Sequence, residues 1–270
     1  MIELFVSLPP LVQALLGGCF TWSFTALGAA VVFMTRRFNQ RLLDGMMGFA
    51  GGVMIAASFW SLLIPALDLA EEMEFIPWVP AALGFAAGWI FLMVLDRIIP
   101  HLHIGFPVEE AEGMKSSFHR TTLLVLAITM HNIPEGLAIG VAFGAVALAI
   151  PQATIAGAVA LTIGIAIQNF PEGLAVSMPL RREGMSRLRC FWYGQLSAVV
   201  EPVMAVIGAA VVILARPALP VALAFAAGAM IFVVIEEVIP ESLKNGFEAT
   251  ATSGFLAGFL VMMILDLGLG

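Results

Sequence analysis

The chain has 270 residues, of which 61% are hydrophobic and 11% charged, with a formal net charge of −7 and a mean hydropathy of +1.02. Soluble domains carry about 25% charged residues, so a chain this apolar belongs in a lipid bilayer rather than in water. Its twelve basic residues form no stripe, which argues against nucleic acid as a partner.

A membrane-spanning helix needs about 20 mostly apolar residues. No basic residue precedes the first apolar run, so about 8–34 reads as a retained span, not a cleaved signal. Further spans are expected at about 44–69, 78–99, 119–144, 151–179, 190–214, 219–241 and 249–268. The expectation is therefore one all-helical polytopic domain, 1–270, with eight transmembrane helices. Polar breaks separate them. Arg36-Arg37-Phe-Asn-Gln-Arg41 follows the first span, and Glu71-Glu72-Met-Glu74 with Pro77 the second. The longest break, 100–118, follows the third and holds His101, His103, Glu109, Glu110, Glu112 and Lys115. Pro151-Gln152 marks a turn after the fourth, and Arg181-Arg182-Glu-Gly-Met-Ser-Arg187 follows the fifth. Arg216-Pro217 and Lys244-Asn-Gly246 mark the last two breaks. Cys19 and Cys190 lie in apolar stretches without CxxC spacing and read as small core residues.

Eleven of the twelve Lys and Arg residues lie in or beside the loops that join odd to even spans; only Arg216 lies on the other side. Positive charge accumulates on the cytoplasmic side. Both termini are thus expected outside and the histidine loop 100–118 inside, in a plasma membrane or bacterial inner membrane.

The chain also repeats itself. Gly84-Phe-Ala-Ala-Gly-Trp-Ile-Phe-Leu-Met-Val-Leu-Asp96 matches Gly254-Phe-Leu-Ala-Gly-Phe-Leu-Val-Met-Met-Ile-Leu-Asp266 at seven of thirteen positions, at offset 170. Phe49-Ala-Gly-Gly-Val-Met54 matches Phe225-Ala-Ala-Gly-Ala-Met230 at offset 176, and Gly28-Ala-Ala-Val-Val32 matches Gly208-Ala-Ala-Val-Val212 at offset 180. Span three would run opposite to span eight, so the repeats are inverted and the spans group as three, two and three. Inverted repeats are typical of secondary transporters, with substrate sites near the midplane on broken helices.

The two central spans carry the chemistry. His131-Asn-Ile-Pro-Glu135-Gly-Leu-Ala in span four is answered 37 positions later by Gln168-Asn-Phe-Pro-Glu172-Gly-Leu-Ala in span five. Residues i, i+3 and i+4 share a helix face, so His131, Asn132 and Glu135 project together, as do Gln168, Asn169 and Glu172. Pro134 and Pro171 remove backbone donors and are expected to kink or open their helices, freeing the carbonyls of Met130 and Ile167. Glu201-Pro202 brings a third carboxylate from span six. An ionised residue at the bilayer centre costs at least about 2.5–3.5 kcal/mol. Three glutamates there would also repel one another, and a divalent cation answers both problems. One imidazole with carboxylate and amide oxygens suits zinc, iron, manganese or cadmium. A site without thiolate and with weak amide ligands reads as one that binds and releases. Three rivals stand beside it: a hydrogen-bonded cluster that only packs helices, a metal sensor, and a proton-coupled carrier of an organic solute. A metalloprotease would need HExxH, whereas Asn132 stands where its glutamate would be.

The paired HNIPEG and QNFPEG motifs resemble the signature of the ZIP family (Zrt-, Irt-like proteins) of divalent-metal transporters, and the resemblance extends over the whole chain. It implies that the protein is no enzyme but imports zinc, and also iron, manganese and cadmium, to the cytoplasm. It further implies a binuclear-type site. One position would use His131, Glu135, Gln168 and Glu172; the other would use Asn132, Glu135, Asn169, Glu172 and Glu201. Some prokaryotic relatives carry aspartate where Asn169 stands. The resemblance also implies a homodimer, and motion of spans one, four, five and six against two, three, seven and eight. Glu236 and Glu237 in span seven, with His101 and His103 in the loop, are candidates for an exit or relay route.

The orientation is testable. A cysteine introduced between positions 181 and 187 should resist an impermeant thiol reagent in intact cells, and labelling would reverse the assignment.

Overall fold

A computed structural model describes residues 2–35, 38–102, 108–148 and 153–269. Eight helices are long and apolar enough to cross a membrane: Pro10–Phe33, Gln40–Glu72, Trp78–Ile98, Arg120–Ala147, Ile155–Arg182, Arg187–Leu214, Arg216–Leu243 and Glu248–Leu269, here spans one to eight. The only strand-like feature among the described residues is one antiparallel bridge, His101 to Glu112. The chain is thus an all-helical, multi-pass membrane protein. Helix starts follow local chemistry. Pro10 opens span one, where a missing N–H costs nothing. The side chains of Asn39, Thr154 and Ser186 accept from Leu42, Gly157 and Arg189 N–H groups at the starts of spans two, five and six.

The spans pack as four close pairs: two with eight, three with seven, one with five, and four with six. Exchanging the first three spans with the last three, and four with five, turns each pair into another, as an inverted repeat requires. Glycine sets the closeness. A Cβ at Gly88 would stand 2.0 Å from the Phe225 carbonyl oxygen, and one at Gly258 would stand 2.0 Å from that of Phe49. Likewise Gly228 faces the Phe85 oxygen at 2.1 Å and Gly52 faces the Phe255 oxygen at 1.9 Å. Each couple is related by the offsets 170 and 176 of the sequence repeat. Lipid tails are as apolar as leucine, so close backbone approach through small residues supplies much of the attraction between helices.

The repeat reaches into backbone detail. Ser58–Leu63 in span two and Val234–Val238 in span seven are both π-helical and begin 176 positions apart. Each is followed by an Ile-Pro pair, Ile64-Pro65 and Ile239-Pro240. Proline cannot donate to the carbonyl four residues back, here Ser61 and Glu236, so the turn before it widens.

The expected opening of spans four and five does not occur. Both run as unbroken α-helix with Pro134 and Pro171 inside. In an apolar 18-residue stretch of each, 72% and 78% of the residues are buried, against 17% in span eight. Neighbours on every side keep them helical and outweigh one lost hydrogen bond each. The break lies in span six, where a turn at 197–199 separates Arg187–Leu196 from Val200–Leu214. Pro202 cannot donate to Ala198; the Glu201 N–H does so instead, at 3.1 Å, in a tighter turn.

Spans one, four, five and six form one group and spans two, three, seven and eight another. The groups meet where span five crosses spans two and eight and where span four crosses span seven.

Gly88→Val and Gly258→Val should each lower the unfolding midpoint in detergent to a similar degree, at the overpacking cost of about 1–3 kcal/mol. Gly268→Ala, whose Cβ would meet nothing within 4 Å, should not.

Candidate metal site

The seven side chains singled out in spans four, five and six converge. His131, Asn132, Glu135, Gln168, Asn169, Glu172 and Glu201 are all buried, none more than 4% exposed. The pairing of spans four with six and one with five brings them together. Gly136 allows the Glu201 carbonyl of span six to press against span four, and Gly173 admits the Thr25 carbonyl of span one against span five. The break before Val200 puts Glu201 in the first turn of a helix, where the backbone dipole favours a negative charge.

Side-chain contacts lock part of the cluster. Gln168 Nε2 donates to Glu135 Oε1, joining spans five and four. Asn169 Nδ2 donates to both oxygens of Glu201, at 2.8 and 2.9 Å. The Thr21 hydroxyl of span one donates to Glu201 Oε2. Asn132 Nδ2 donates to the Ile128 carbonyl at 2.7 Å and to the Ser197 carbonyl at 3.4 Å, in the turn of span six. His131 Nδ1 lies 2.9 Å from Glu237 Oε2 and 3.3 Å from the Ala127 carbonyl. A proton there, donated to Glu237, leaves Nε2 as the lone-pair nitrogen, the usual arrangement of a metal-ligating histidine.

Six oxygens remain without any hydrogen-bond partner: Asn132 Oδ1, Glu135 Oε2, Gln168 Oε1, Asn169 Oδ1 and both oxygens of Glu172. Buried polar atoms are paired in over 90% of cases, so six orphans in one cluster mark a place built for something else. All six are acceptors. Glu135 feels the charges of Glu172 and Glu201, and Glu172 that of His131. No lysine or arginine lies between positions 121 and 180 to offset them.

A family model described as ZIP zinc transporter matches residues 107–266. The chain belongs to the ZIP family. A protein named zinc transporter ZIP11 from Bos taurus is 42% identical, the match covering 97% of this chain and 98% of the relative. Zinc transporter ZIPB from Bordetella bronchiseptica is 42% identical over 95% of this chain and 81% of its own length. Zinc transporter GufA from Myxococcus xanthus is 39% identical, covering 96% and 98%.

The candidate exit residues of this ZIP protein divide. Glu237, in the π-helical turn of span seven, touches the central site through His131, whereas Glu236 is exposed. A small cavity of about 30 Å³ runs between His131, Glu237 and Leu102. Next to Leu102, His101 is fully buried and joins a separate group with Asp96 and Glu112, whose ligand atoms all lie within 4.8 Å of one another. His101 Nε2 stands 3.1 Å from Asp96 Oδ1, while its Nδ1 meets the Ile99 carbonyl at 2.8 Å. His103, like Arg36, Arg37, Pro151 and Gln152, lies outside the described residues. Sequence reasoning missed Thr21. A lone threonine in an apolar helix carries no signal of its own, and only the packing of span one against span six reveals its partner. Asp96 was visible only as the symmetry mate of Asp266.

Thr21→Val should leave Glu201 short of a buried donor and cost about 1–3 kcal/mol in thermal unfolding, whereas Thr21→Ser should hold wild-type stability.

Proposed function

We propose that this protein carries divalent metal ions across the membrane toward the cytoplasm, zinc first and also iron, manganese and cadmium. The observation that carries the reading is the set of six buried, unpartnered oxygens around three glutamates and a histidine. A divalent cation satisfies acceptors and offsets carboxylates in one step, whereas a proton satisfies one oxygen at a time. The relatives named zinc transporters support zinc as the cargo. The cytoplasmic direction rests on the loops bearing eleven of the twelve basic residues.

Within this binuclear-type site the two positions differ. His131, Glu135, Gln168 and Glu172 form the first, where Glu135 Oε2, Gln168 Oε1 and both Glu172 oxygens have no other partner. The second uses Asn132, Glu135, Asn169, Glu172 and Glu201, but the Asn169 amide and Thr21 hydroxyl already hold Glu201. Asn169 thus neutralises by hydrogen bonding what a second ion neutralises by charge, and the first position takes the ion ahead of the second. Release runs past Glu237, which orients His131, toward the group of Asp96, His101 and Glu112, with His103 nearby in sequence. The inverted repeats support alternating access, the group of spans one, four, five and six moving against the other four.

Proteoliposomes holding the purified protein should take up zinc faster than empty liposomes, and no flux of zinc, iron, manganese or cadmium would overturn the proposal. Glu135→Ala and Glu172→Ala should each abolish uptake; a wild-type rate in either would mean the site lies elsewhere. Asn169→Asp should tighten zinc binding in calorimetry by adding a carboxylate, and an unchanged affinity would count against a filled second position.

A further inference from the structure

A cavity apart from the central cluster lies on the face of the bundle where the chain ends. Its volume is about 330 Å³, within the range of small-molecule sites. Its walls come from both helix groups. Trp60, Ser61 and Leu223 belong to spans two and seven, Asp266 to span eight, and Leu161 to span five of the other group. Most of the lining is aliphatic or aromatic, and the acidic group in it is Asp266. One oxygen of that carboxylate accepts from the Ser61 hydroxyl at 2.5 Å, while the other, Oδ2, is buried with no partner.

The ligand class follows from this chemistry. One carboxylate in an apolar chamber offers far too few oxygens for a divalent ion, which takes four or more ligands. It is also a costly place to leave an acceptor unmet. A molecule that fits has an apolar body to fill the chamber and one cationic N–H group to meet Oδ2. We propose that this chamber is a binding site for small hydrophobic amines. Its walls lie on both helix groups, so a bound amine wedges them apart and slows transport. The binding itself does not depend on the transport reading of the central site; the slowing does.

The test uses the full chain in lipid nanodiscs, with empty discs subtracted, and two rigid probes of equal shape, 1-adamantylamine and neutral 1-adamantanol. By calorimetry the amine should bind saturably and at least ~tenfold more tightly than the alcohol, the margin of a charge-assisted hydrogen bond. Asp266→Asn should erase that preference, and Leu161→Trp, which fills the chamber from span five, should weaken both probes. Equal affinity of the two probes for the wild type would overturn the site, as would an undiminished preference in Asp266→Asn. In proteoliposomes, zinc uptake should fall as the amine saturates the wild type and should not fall in Asp266→Asn. Uptake indifferent to bound amine would overturn the wedge. An absence of zinc uptake without any amine would strike the transport proposal instead and leave the calorimetry to judge the site.

Discussion

Three carboxylates buried at the crossing of four helices are the constraint on which the rest of the structure depends. Glu135, Glu172 and Glu201 come from spans four, five and six, are at most 2% exposed, and have no lysine or arginine within eight positions in sequence to neutralise them. Placing such charges in an apolar medium is costly enough that every neighbouring polar atom is drawn into managing them. Gln168, Asn169 and Thr21 donate to the carboxylates, Asn132 anchors the turn of span six, and Glu237 turns the imidazole of His131. Even so, the donors run out before the acceptors do. That imbalance is what we propose a divalent cation satisfies.

The helices around it are arranged to make such a cluster possible. Glycine faces let spans approach until a Cβ would collide with a carbonyl, and this occurs at repeat-related places in the pairs two with eight and three with seven. The π-helical turns of spans two and seven obey the same symmetry. The symmetry ends where function needs difference. Val234–Val238 puts Glu237 against His131, whereas the matching turn at Ser58–Leu63 puts Ser61 against Asp266 and lines the separate chamber. One backbone device, used twice in opposite directions, thus serves the central site on one face and a separate apolar cavity on the other.

Much of this was readable from the residues in order. Apolar run lengths gave the eight spans within a few positions, because only a helix satisfies its own backbone in lipid. The spacing around His131 and Gln168 located six of the seven clustered side chains and Glu201-Pro202 the seventh, since charge in an apolar run demands a reason. The backbone response to proline was not readable. Pro134 and Pro171 looked like breaks, yet enclosure by neighbours keeps those segments helical, and the break falls just before Pro202 in less buried span six. Nor could residue order show that Thr21 would reach Glu201 or that His101, Asp96 and Glu112 would meet. These contacts join segments whose approach is decided by packing, not by local pattern.

Zinc-edge X-ray absorption of the purified protein loaded with one equivalent of zinc tests the central claim most directly. The account predicts a first shell of oxygen with one imidazole nitrogen at about 2.0–2.1 Å and no sulfur, lost in the Glu135→Gln, Glu172→Gln double variant. A sulfur shell near about 2.3 Å, or an unchanged spectrum in that variant, would contradict it.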